Sequence, residues 1–228
     1  SDRTLIHELT HALQDQHFNL KDLVLGGDLT FDRLLALGAL AEGDAESVQQ
    51  TYLRGLAFTM APLAWIRKFG EREIERYLAR MKDFPRGVAR PFIFQYMDGL
   101  LFVETVKRKD RRGYPAVDRM YRDPPVSTEQ VLHPGKYLHR DHPTRIIPPE
   151  MPEGFTVLVD NVLGELGVSI VLEANLGTDA DAAAAEGWDG DRILLVRAPD
   201  GAEILVWYTV WDSEEDAEEF LGAARRLL

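Results

Sequence analysis

The sequence predicts a mainly helical α+β protein in two parts. Apolar residues follow helical spacing over most of residues 1–142, whereas the last third of the 228-residue chain contains two β-type runs joined by a turn. Four prolines between residues 143 and 154 favour an extended segment between the two parts. We therefore predict a helical domain at 1–142, a proline-rich linker at 143–154 and a C-terminal α+β subdomain, containing a small β-hairpin, at 155–228.

Composition and charge exclude several classes of function. The formal net charge is −12, which argues against a nucleic-acid partner because such proteins present a basic face. No apolar run reaches 18 residues, so we predict no transmembrane segment. The chain contains no cysteine, so it forms no disulfide. This leaves the compartment open, because many extracellular bacterial proteins also lack cysteine.

The first predicted helix, residues 3–17, contains the motif H-E-x-x-H. His7 and His11 are four residues apart, so both imidazoles leave one face of the helix and can hold one zinc ion. Glu8 lies about 100° around the axis from His7, where it can act as general base toward a water on the open side of the metal. Apolar neighbours predict a helix that is buried on most sides, where histidine and glutamate need partners: Leu5, Ile6, Leu9, Ala12 and Leu13.

Two residues are candidates for the third zinc ligand. His17 follows His11 by six residues, the spacing of the metzincin motif, but that motif has a glycine where this chain has Gln14. Glu42 directly follows an apolar run in a second helix, predicted over residues 30–54, where an unpaired carboxylate would be costly. We prefer Glu42, and His17 remains the alternative.

Three stretches of the sequence carry a family resemblance. They are H-E-L-T-H-A-L-Q-D-Q-H-F-N-L from residue 7, A-E-G-D-A around Glu42, and P-P-V-S-T-E-Q-V-L-H-P over residues 124–134. Together they resemble a family of uncharacterised bacterial zincin-like proteins, and the two ligand helices resemble those of gluzincins. The resemblance covers about the first 140 residues. It implies a zincin-like active-helix domain, a bound Zn²⁺ ion with Glu42 as third ligand, and a peptide or protein substrate.

The resemblance also raises the question of which residues support the ligands. Gluzincins often have an aspartate four residues after the ligand glutamate, and here that residue is Glu46. Three carboxylates could therefore orient a ligating imidazole: Asp15, Asp44 and Glu46. His133, at the end of the third matching stretch, is our candidate for the donor that stabilises the oxyanion, ahead of Tyr137 and His139.

The middle of the chain predicts several more helices. We expect one or two over 57–82, and a central buried helix from Pro91 to Val103 that ends in a basic cluster. Tyr96 on this helix could hydrogen-bond near the metal or could be an ordinary core tyrosine. Short helices are predicted from Ala116 to Arg122 and after Ser127, which is a suitable N-cap.

The C-terminal part has a different pattern. We predict helices at 161–176 and 179–186, strands at 192–197 and 203–211, and a last helix capped by Asp212 and Ser213. The segment Trp188–Asp191 contains Asp-Gly-Asp but lacks the other ligands of a calcium loop, so we expect a turn there.

The sequence therefore predicts a zinc-dependent metallopeptidase in which Glu8 and His133 are catalytic. Two alternatives remain: a catalytically inactive zincin-fold binding or scaffold module, and a metal hydrolase that acts on other substrates. Zincins normally place a sheet before the active helix, so we expect an upstream segment of the same chain, a processed form, or a sheet built from later residues. A lost leader would slightly favour a location outside the cytoplasm.

Overall fold

The computed structural model describes residues 2–81, 84–110, 113–177 and 182–227. The chain divides into two compact units, one formed by Ser1–Leu29 and Arg33–Asp141 and the other by Thr30–Asp32 and His142–Leu228. Helices dominate the first unit, and a three-stranded antiparallel sheet lies in the second. The expected α+β class with mainly helical content is therefore confirmed.

The first unit is built from nine helices over its described residues. The long ones are α1 (Asp2–Phe18), α3 (Phe31–Arg54), α5 (Leu63–Arg80) and α6 (Arg86–Lys109). The short ones are α2 (Leu20–Leu25), α4 (Leu56–Thr59), α7 (Tyr114–Met120), α8 (Thr128–Leu132) and α9 (Pro134–His139). The predicted N-cap at Ser127 is confirmed, because its hydroxyl accepts a hydrogen bond from the Gln130 backbone N–H.

Helix α1 is much more exposed than the sequence predicts. Its fully buried residues are all polar, namely His7, Thr10 and Gln14. The expected burial of the leucines is wrong, since Leu5, Leu9 and Leu13 are 57%, 50% and 54% exposed. Periodicity alone marks the apolar face of a helix but does not show whether another element covers it. The polar face of α1 is thus the one that packs against the protein.

Helices α3 and α6 approach each other closely where their residues are smallest. A β-carbon added at Gly43 would lie 2.2 Å from the carbonyl carbon of Gly99, and one added at Gly99 would lie 2.3 Å from the backbone oxygen of Ala39. Only residues without side chains allow two helix backbones to come this near. This crossing fixes Glu42, next to Gly43, relative to Tyr96, one turn before Gly99.

The second unit is a three-stranded sheet with helices packed on it. Strand order is β1 (Thr156–Asn161), β2 (Trp188–Arg197), β3 (Glu203–Trp211), and both pairs are antiparallel. The predicted hairpin corresponds to β2 and β3. Helix α10 covers Gly164–Leu176 and helix α11 covers Glu214–Ala224, with Ser213 as the predicted N-cap of α11.

Two expectations for the second unit are wrong. The helix predicted from residue 161 begins at Gly164 and is preceded by strand β1, which the sequence reading missed. The turn predicted at Trp188–Asp191 is the start of β2, where a bulge lies between Trp188 and Gly190. Pairing with β3 overrides the local preference of Asp-Gly for a turn. The helix predicted at 179–186 falls partly outside the described residues.

Asp191 joins the sheet of the second unit to the start of α10. Its buried carboxylate accepts hydrogen bonds from the backbone N–H groups of Leu163 and Gly164, at 3.0–3.2 Å. The indole N–H groups of Trp188 and Trp207 also donate to it, at 3.2 and 3.1 Å. Asp191 therefore has a structural role as an acceptor for two helix-terminal amides and two tryptophans.

Among the described helices, none is both long and apolar enough to span a bilayer.

Candidate metal centre

The first unit brings His7, His11 and Glu42 together at the contact of α1 with α3. The two histidines lie one turn apart on α1 and direct their Nε2 atoms toward the same carboxylate oxygen. His7 Nε2 lies 2.9 Å and His11 Nε2 lies 3.3 Å from Oε2 of Glu42, and the two nitrogens are 3.1 Å apart. Within the described ranges, this is the group of three side chains that could hold a metal ion.

The size and chemistry of this group fit a zinc ion. Zinc bonds of about 2.0–2.2 Å in a tetrahedral arrangement separate the ligand atoms by about 3.3–3.6 Å. The observed separations of 2.9–3.3 Å would need to open by only a few tenths of an ångström. Two imidazoles and one carboxylate are also a ligand set that catalytic zinc sites use, and they leave one coordination position free.

The charges within the group are strongly coupled. Burial opposes ionisation of Glu42, but hydrogen bonds from His11 and His7 outweigh it and lower the pKa of the carboxyl to about 2. The hydrogen bond with Glu42 in turn raises the pKa of His11 above its usual value, against the effect of burial. The carboxylate is therefore ionised across the neutral range, as a metal ligand must be.

Tyr96 on α6 closes one side of the group. Its ring stacks on His7, with the ring centroids 5.8 Å apart and the planes inclined by 21°. Burial, together with the negative charge of Glu42 and a hydrogen bond to it, raises the pKa of Tyr96 to about 12. The phenol thus stays protonated at neutral pH and can act as a hydrogen-bond donor beside the ligands.

Glu8 lies on the exposed side of the same group. Its side chain is exposed on α1, and its charge contributes to the raised pKa values of both His11 and Tyr96. Glu8 is thus a carboxylate close to the candidate ligands that is not itself one of them, and its role as general base stays a prediction.

The three carboxylates that we considered for orienting a ligand lie in different surroundings. Asp44 connects to His11 through Gln14, whose side chain contacts both. Glu46 accepts hydrogen bonds from Gln49 and Gln50 instead. Asp15 accepts one from the backbone N–H of Leu20.

The structure does not bring the other predicted histidines into the group. Helix α1 continues without a break past Gln14, so His17 lies at its exposed end beside Phe18. His133 lies at the junction of α8 and α9 and is not among the clustered ligand atoms. Its role as oxyanion donor stays a prediction.

Sequence reasoning missed the contribution of Tyr121 to this region. Its hydroxyl donates to Asp44 at 3.0 Å, and its ring stacks on Phe18 with centroids 4.3 Å apart. Tyr121 directly follows α7 and is 77 residues from Asp44 along the chain, and nothing in the local pattern links the two residues. Only the fold could reveal this contact.

Comparison with known proteins gives one finding for the C-terminal region. Residues 156–228 match the model of a family described as a domain of unknown function, DUF8575. The match covers the sheet and the helices around it, and lies outside the segment that carries the candidate metal ligands. No curated protein and no solved structure matches the chain.

Proposed function

We propose that this chain is a zinc-dependent hydrolase of the metallopeptidase class, with a gluzincin-type ligand set of His7, His11 and Glu42. The observation that carries the proposal is the convergence of these three ligand atoms within 4.8 Å of one another. The residue types, the free coordination position and the neighbouring carboxylate of Glu8 all fit metal-assisted hydrolysis of a carbonyl compound.

The roles of the protein groups follow from their positions. A bound zinc ion would lower the pKa of a water molecule to about 7 and polarise the substrate carbonyl. Glu8 would accept the proton of the attacking water and pass it to the leaving amine, as its exposed side chain beside the ligands permits. Tyr96, protonated and stacked on His7, would donate a hydrogen bond to the developing oxyanion. His133 is the second candidate for that donor.

Metal content tests the ligand set. Elemental analysis of protein purified without chelators should find about one zinc per chain, and His7→Ala and Glu42→Ala should both lose it. His17→Ala is a matched control, because it removes an exposed histidine of the same helix that lies outside the group. Loss of zinc in His17→Ala, with retention in Glu42→Ala, would transfer the third ligand to His17 and refute the gluzincin assignment.

Catalysis is tested by separating turnover from metal binding. Glu8→Gln should abolish cleavage in a quenched fluorescent peptide library and retain zinc, because it removes the base but no ligand. Asp15→Asn makes the same chemical change at another exposed carboxylate of α1 and should leave cleavage intact. If Glu8→Gln cleaves at the wild-type rate, the chain is not a hydrolase of this type.

The second candidate function is a binding or scaffold module, and the exposed leucines of α1 favour it. Leu5, Leu9 and Leu13 form a stripe along one side of the helix that carries the histidines, and each is at least half exposed. Exposed apolar stripes of this kind often mark interaction surfaces. A protein that binds zinc but shows no cleavage, and in which Glu8→Gln has no effect, would favour this function over hydrolysis.

A further inference from the structure

A chain of hydrogen bonds runs from His11 into the interior of the first unit. His11 Nδ1 and Gln14 Oε1 are 2.8 Å apart. The amide nitrogen of Gln14 donates to the backbone oxygen of Ala41 at 3.0 Å and to Oδ2 of Asp44 at 2.9 Å. The hydroxyl of Tyr121 donates to the same carboxylate oxygen at 3.0 Å.

This chain of hydrogen bonds makes Nδ1 of His11 the donor to Gln14. The carbonyl oxygen of Ala41 can only accept a hydrogen bond, so the amide nitrogen of Gln14 must face it. The amide oxygen of Gln14 must then face His11, and an oxygen without a hydrogen can only accept. His11 therefore donates from Nδ1 to Gln14, and Nε2, the atom that faces Glu42 and His7, is the nitrogen left for a metal.

Burial holds this arrangement in place. Gln14 is 3% exposed, Asp44 7% and Tyr121 5%. A rotated Gln14 amide would bring its oxygen against the Ala41 carbonyl and the Asp44 carboxylate, which places acceptors against acceptors. Water has little access to replace the lost hydrogen bonds, so the fold selects one orientation of the amide.

We propose that Gln14, held by Ala41 and Asp44, is the positioning residue that fixes His11 as an Nε2 metal ligand. This inference rests on the proposed zinc site and deepens it. Gln14 supplies His11 with the acceptor that ligating histidines need on their second nitrogen, and Asp44 acts one step further away, through Gln14. Tyr121 supports Asp44 from the opposite side.

The first test reads which nitrogen of His11 carries the proton when zinc is bound. Long-range ¹H–¹⁵N NMR of the zinc-loaded protein should show His11 protonated on Nδ1 and without a proton on Nε2. Gln14→Met, which keeps the length and shape of the side chain but removes its amide, should give a mixture of Nδ1-protonated and Nε2-protonated rings. Protonation of His11 on Nε2 in the zinc-loaded wild type would overturn the inference, and this measurement needs no variant to fold.

The second test measures zinc affinity by competition with a chromophoric chelator. Gln14→Met should bind zinc about 10–100-fold more weakly than the wild type, the usual effect of losing such a partner. Gln16→Met makes the same change at an exposed glutamine of α1 and should bind zinc as the wild type does.

The outcomes separate failure of this inference from failure of the proposed function. Zinc bound by the wild type with unchanged affinity in Gln14→Met would overturn the positioning role and leave the zinc site standing. A wild type that binds no zinc would overturn the zinc site, and the positioning role with it. A single tautomer in the wild type, lost together with zinc affinity in Gln14→Met but not in Gln16→Met, would support both.

Discussion

Replacing Gly43 by alanine should separate the two helices that hold Glu42 and Tyr96. The new β-carbon would lie 2.2, 2.3 and 2.8 Å from the carbonyl carbon, carbonyl oxygen and α-carbon of Gly99. These are backbone atoms, so no side-chain rotation relieves the overlap. Restoring ordinary van der Waals distances of about 3.4 Å or more requires α3 and α6 to move apart by about 1 Å.

The expected loss of stability is the difference between two opposing effects. Overpacking of this kind costs about 3 kcal/mol, at the upper end of the usual range, because the neighbours are rigid. Alanine is also a better helix former than glycine and returns about 1 kcal/mol. We therefore expect Gly43→Ala to lower the free energy of unfolding by about 2 kcal/mol.

Gly70→Ala is a matched control for this experiment. Gly70 also lies inside a long helix of the first unit, but its β-carbon would meet the Met97 side chain at an ordinary 3.9 Å. It should therefore stabilise the protein by about 1 kcal/mol through helix propensity alone. Urea unfolding followed by circular dichroism would measure both variants, and zinc affinity should fall in Gly43→Ala only. If Gly43→Ala is as stable as Gly70→Ala, α3 and α6 do not approach each other as described.

Three further predictions concern groups outside the metal ligands. Burial raises the pKa of Asp98 to about 6, against the opposing charges of Arg90 and Arg67. The folded state therefore binds this proton more tightly than the unfolded chain, so stability should fall as the pH rises from about 4 through 6, by up to about 3 kcal/mol. Asp98→Asn should flatten that part of the stability curve in urea titrations at several pH values, and an unchanged pH dependence would contradict the assignment. Asp191→Ala leaves two backbone N–H groups and two indoles without their buried acceptor, so the free energy of unfolding should fall by at least about 3 kcal/mol. Tryptophan fluorescence during unfolding measures this change. A fall of less than about 1 kcal/mol would exclude the structural role. Leu9→Gln removes an apolar side chain that is half exposed, so it should leave the free energy of unfolding within about 0.5 kcal/mol of the wild type. A large fall in the free energy of unfolding would show that the leucine stripe of α1 is covered in solution.

The candidate ligands could be anticipated from the sequence because they depend on local geometry. The spacing of His7 and His11 fixes the direction of both imidazoles once α1 is helical. Glu42 could be chosen because an acidic residue directly after an apolar run needs a partner. Both arguments use only short stretches of chain, and the structure brings these three side chains together.

The remaining features depend on contacts that are distant along the chain. Strand β1 is exposed along almost its whole length, and its sequence, T-V-L-V-D-N, does not alternate between apolar and polar residues in the way that marks a strand. Gln14 is an ordinary helix residue until Ala41 and Asp44 are placed beside it. The exposure of the leucines of α1 could not be predicted either. An apolar stripe shows that burial would be favourable, but it does not show whether another element covers the stripe.

The polar attachment of α1 has a consequence for the energetics of folding. No apolar side chain of this helix is fully buried, so hydrophobic burial contributes little to holding it in place. A metal bound between His7 and Glu42 would link positions 35 residues apart and restrict the unfolded chain as a crosslink does. For a loop of this length the chain-entropy estimate is about 4 kcal/mol. Metal loading should therefore slow amide hydrogen exchange in α1 far more than in α5, because the bound cation would crosslink α1 to α3.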